Sequence, residues 1–87
     1  MPYLSEEVAV LEGLIRAYLI SPKLPESLRR DYITVHQHME QDALTQHDYQ
    51  RIHSAVDFLL PLHKASPSEY KLLVGVLTKT TSMLAAH

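Results

Sequence analysis

The chain has no cysteine and no tryptophan, only two glycines, and a single phenylalanine among its 87 residues. Without thiols there is no disulfide staple, no thiolate metal site and no cysteine nucleophile, which fits a reducing compartment. Two glycines leave little room for hairpins, and the alternating β-branched pattern of strands is also missing. Neither sign of charge dominates: eight Lys and Arg against ten Asp and Glu give a formal charge of −2. The basic residues stand singly apart from Arg29-Arg30, whereas a duplex-binding domain normally presents a basic face. The longest apolar stretches are broken by Glu12 and Arg16 or by Lys79, far short of the roughly 20 residues a membrane span needs. The opening MPYLSEEVAV has no positive segment followed by an apolar run. No signal peptide and no membrane association are therefore expected, and a cytoplasmic location is the default.

What is present reads as one helical domain over residues 1–87. The apolar fraction of 46% is ordinary for a globular protein. A chain this short buries only about 60–65% of its unfolded surface, so the core is modest. Five prolines punctuate helix ends. Ser5, followed by Glu6 and Glu7, is an expected N-cap with acids in the first turn, opening a helix over 5–20 that stops at Pro22. A second helix restarts at Pro25-Glu26 and is expected over 25–43. Thr45 with Asp48 three residues on resembles a capping box and opens a helix over 46–60, which Pro61 ends or kinks. Ser66-Pro67-Ser68-Glu69 combines an N-cap serine, a first-position proline and an acid, and starts a fourth helix over 67–86.

Each segment repeats apolar residues at helical spacing. The stripes are Leu4, Val8, Leu11, Ile15 and Tyr18; Leu28, Tyr32, Val35 and Met39; Tyr49, Ile52, Val56 and Leu59; and Tyr70, Leu73, Leu77 and Leu84. Alternating spacings of three and four with short connections predict an all-α, up-down four-helix bundle. Two helices exceed a single stripe. In the first, Ala9, Gly13 and Ala17 form a small-residue ridge almost opposite the main stripe, with Val10 and Ile20 beside it. In the fourth, Leu72, Val76 and Met83 widen the apolar arc around Gly75. A helical glycine costs roughly 1 kcal/mol relative to alanine, and close backbone approach is one reason to keep it. Ala9, Gly13, Ala17 and Gly75 are accordingly candidate homodimer contacts.

Chemistry-bearing patterns are sparse. His36 with Glu40 and His53 with Asp57 share helix faces at a spacing of four. A metal site needs three or four ligands, and the Glu-x-x-His pairs of carboxylate-bridged bundles are absent. His36, His53 and His63 are expected at the core border, and His36 and His38 point nearly opposite ways. His53, Ser54 and Asp57 have the residue types of a hydrolytic triad, but adjacent helical residues diverge by about 100° and Ser54 faces away. No Gly-x-Ser-x-Gly elbow or phosphate loop occurs. No catalytic residue, cofactor or metal is expected.

Two surface features remain. Arg29 and Arg30, with Lys23 nearby, lie in early helical turns where cations are disfavoured, and could dock an anion or an acidic partner, Glu26 and Asp31 being the alternative neutralising partners. Phe58 falls opposite the stripe of its helix, beside Arg51 and Ser54, and Leu62 would follow one turn on if the helix persisted past Pro61. An exposed aromatic beside arginine is the mixture that interface hot spots favour. The expected function is that of a small non-catalytic, homodimeric interaction module: an adaptor, inhibitor or regulatory subunit with a protein partner. A DNA- or RNA-binding regulator, with the second and third helices as a helix-turn-helix and Gln50 and Arg51 facing bases, is one alternative. A metal-binding bundle is another.

Overall fold

The computed structural model describes residues 2–63 and 66–86, the side chains of Leu62 and His63 excepted. Four helices follow one another: α1 (Ser5–Ile20), α2 (Glu26–Glu40), α3 (Gln46–Leu59) and α4 (Pro67–Ala85), with a 3-10 turn at Leu60–His63 after α3. Each helix packs on its sequence neighbour and α4 closes against α1, giving the four-helix bundle that the stripes predict. The core is built from those stripes: Leu11 and Ile15, Tyr32, Val35 and Met39, Tyr49, Ile52 and Val56, and Leu73 are all buried. Val76 joins them, and Met83 packs against the core, while Leu72, the third residue of the widened arc of α4, is half-buried.

The helix ends carry the corrections. The N-cap of α1 is Leu4, in extended conformation, and Ser5 is already helical. The capping is done from inside the helix, where Glu7 Oε1 accepts the Leu4 amide at 2.8 Å. Being outside the helix, Leu4 leaves the stripe and is 60% exposed. Tyr3 takes the core place instead. Its hydroxyl meets Thr80 Oγ1 at 2.5 Å, Thr80 in turn donates to the Val76 carbonyl at 2.7 Å, and its ring meets Tyr49 edge-on at 6.5 Å.

α2 stops at Glu40 rather than running to residue 43. Asp42 adopts φ +52°, its amide bonds to the Met39 carbonyl, and the Ala43 amide reaches back to the His38 carbonyl at 2.8 Å. This is a left-handed helix terminus of the Schellman type, usually made by glycine. An aspartate there costs roughly 1–2 kcal/mol of backbone strain and leaves no glycine to mark the stop. The Thr45–Asp48 box forms as expected, with Asp48 N to Thr45 Oγ1 at 3.3 Å and Thr45 N to Asp48 Oδ2 at 2.8 Å. Ser66 occupies the N-cap of α4 without a side-chain cap bond, and Pro67 opens the first turn. Past Leu59 the chain tightens into the 3-10 turn, because Pro61 has no amide to continue an α-helical ladder.

Candidate functional site

Among the described residues, the outer face of α1 is a small-residue and apolar stretch left largely open. Ala9, Gly13, Ala17 and Ile20 are exposed, and Val10 and Leu14 are half-buried beside them. A Cβ built on Gly13 would meet no neighbour within 4 Å among the described residues. Two shallow depressions lie along this face. One, of about 400 Å³, is lined by Ala9, Val10, Gly13, Leu14 and Glu69; the other, of about 330 Å³, by Leu14, Ala17, Tyr18, Ser21 and Leu59. Leu14 belongs to both, so they form one continuous strip. Within it, burial pushes the Tyr18 phenol above its ordinary range.

The register between α1 and α4 explains why the end of the strip is open. Tyr3 pairs with Thr80, Glu7 with Lys79, and Gly13 shares its depression with Glu69, so the helices run antiparallel. Continued at that register, α4 begins roughly one turn short of the end of α1. The last turn of α1 overhangs, and Ile20 is 83% exposed.

Gly75 belongs to a different setting. A Cβ there would collide with Glu7 Oε2, so its close approach is made inside the chain and needs no second subunit. Glu7 itself, which the sequence places as a first-turn acid, is only 3% exposed. Its Oε1 accepts from Lys79 Nζ at 2.6 Å as well as from the Leu4 amide. Lys79, about a third exposed, brings the compensating charge from α4. No pattern within α1 announces this burial, since the partner lies 72 residues away.

The two arginines separate. Arg29 donates to the carbonyl oxygens of Leu19 and of Ser21, the latter at 2.8 Å, and lies 3.6 Å from Glu26. Its charge therefore sits at the C-terminal end of α1, where orphan carbonyls and the negative dipole end favour a cation. That use leaves it poorly placed to dock an outside anion. Arg30 is exposed. Asp31 is turned to α3 instead, with Oδ2 at 2.9 Å from Arg51 Nε and Oδ1 at 3.6 Å from His47. The Arg51 contact is close in distance without being directed as a hydrogen bond. Arg51 is thus engaged along the α2–α3 seam, and Gln50 is exposed.

Histidine chemistry is local. His36 lies 3.5 Å from Glu40, and His38 Nδ1 lies 2.6 Å from Asp48 Oδ2. The latter ties the end of α2 to the capping box of α3, a pairing that sequence reasoning missed because Asp48 looked sufficient as a local cap. Asp48 Oδ1 and Gln46 Oε1 are buried without a hydrogen-bond partner. Two positions apart on a helix, they diverge by about 200° and do not converge on one ligand. Among the described residues no group of three His, Asp or Glu could hold a metal ion. His53 is half-buried while Ser54 and Asp57 are exposed, with no hydrogen bond joining them.

Phe58 is 68% exposed, on the side of α3 that its helical phase indicates. The side chain of Leu62, its expected companion, lies outside the described residues. Among the described residues no helix is long and apolar enough to cross a membrane. No protein family, curated protein or solved structure matches this chain.

Proposed function

We propose that this chain is a small non-catalytic interaction module that self-associates through the outer face of α1. The observation supporting the reading is the strip from Ala9 to Ile20, largely apolar and left open among the described residues, with Glu69 and Leu59 only at its edge. Covering apolar surface gains roughly 25 cal/mol per Å², and contiguous patches mark interaction sites more often than scattered residues do. Gly13, with open space above it, would let a second backbone approach closely. Phe58 and Arg30 are exposed points at which a different protein could add contacts. The nucleic-acid alternative needs Arg51 available for bases, and Asp31 engages it.

Light scattering over a dilution series tests the proposal. A dimer at tens of micromolar is expected, with Gly13→Leu weakening it at least tenfold, equivalent to about 1.4 kcal/mol. A monomer throughout, or a dimer indifferent to Gly13→Leu, would sink it.

A further inference from the structure

We draw no further inference here: the strongest candidate, the cavity of about 540 Å³ between α1 and α4 beside Glu7, Lys71, Gly75 and Lys79, has its buried carboxylate already committed to the Leu4 amide and Lys79, and nothing in the structure shows what would cover the remainder.

Discussion

α1 and α4 each carry one glycine inside an apolar arc wider than a single stripe, yet a side chain at Gly75 would strike Glu7 while one at Gly13 would meet open space. The same sequence signal thus has two physical origins. In α4 part of the extra apolar width is absorbed by the bundle, with Val76 fully buried against the core and Gly75 admitting a carboxylate. In α1 the small residues face outward, and among the described residues none covers Gly13. A helical glycine reports close approach only when something from elsewhere in the chain arrives at it.

The largest expected effect concerns Tyr3, which secures the covered side of α1 to α4. Burial, the main cause, with smaller contributions from Tyr49 and Glu7 and against the Thr80 hydrogen bond, pushes its phenol from 10 up to about 12. The folded state therefore favours the protonated phenol. That stabilisation is complete below pH 10 and is lost as the pH rises through about 12. Two units correspond to about 2–3 kcal/mol. Urea unfolding followed from neutral to alkaline pH should show this decline, made shallower by Tyr3→Phe. Tyr18, Tyr32 and Tyr49 are also raised by burial and should sustain the rest. Identical slopes in the two proteins would place the alkaline sensitivity elsewhere.

Next comes Gly75→Ala. The new methyl group would push Glu7 Oε2 aside and strain the bonds that Oε1 makes to Leu4 and Lys79, which should outweigh the roughly 1 kcal/mol that alanine's helix propensity returns. A net loss of about 1 kcal/mol lowers Tm by on the order of 5 °C. In a Glu7→Ala background the same substitution should become stabilising. A double-mutant cycle showing no coupling would remove Glu7 as the reason for this glycine.

Gly13→Ala should act with the opposite sign, raising stability by about 1 kcal/mol in dilute solution, because nothing blocks the new methyl group. Destabilisation of the isolated chain would mean that the outer face of α1 is packed after all, and the contrast with α4 would collapse.

Phe58→Ser should change least. At 68% exposure its ring contributes little to folding, so thermal unfolding should move by no more than about 0.5 kcal/mol. A loss of several degrees would place this end of α3 in the core rather than on the surface.

The number, order and approximate limits of the helices were legible because they rest on local physics. Proline positions, the Thr45–Asp48 box and apolar spacing act within a turn or two. Phe58's exposure was readable for the same reason, helical phase alone sufficing. The end of α2 was misjudged because Asp42 supplies a left-handed residue without the usual glycine. Ser5 has the better capping side chain and so stands out in the sequence, but Leu4 is the N-cap because Glu7 satisfies its amide from within the helix.

Local composition and periodicity determined an all-α bundle, its four helices and most of its core stripes, since each depends on residues three or four apart. Only the tertiary structure decided that Glu7 is buried with Lys79, that Asp48 is held by His38, that Arg29 caps α1, and which glycine is covered. Those outcomes hang on the register between helices. Register is set by side chains meeting across 8 to 77 positions of sequence, where no local pattern records the partner.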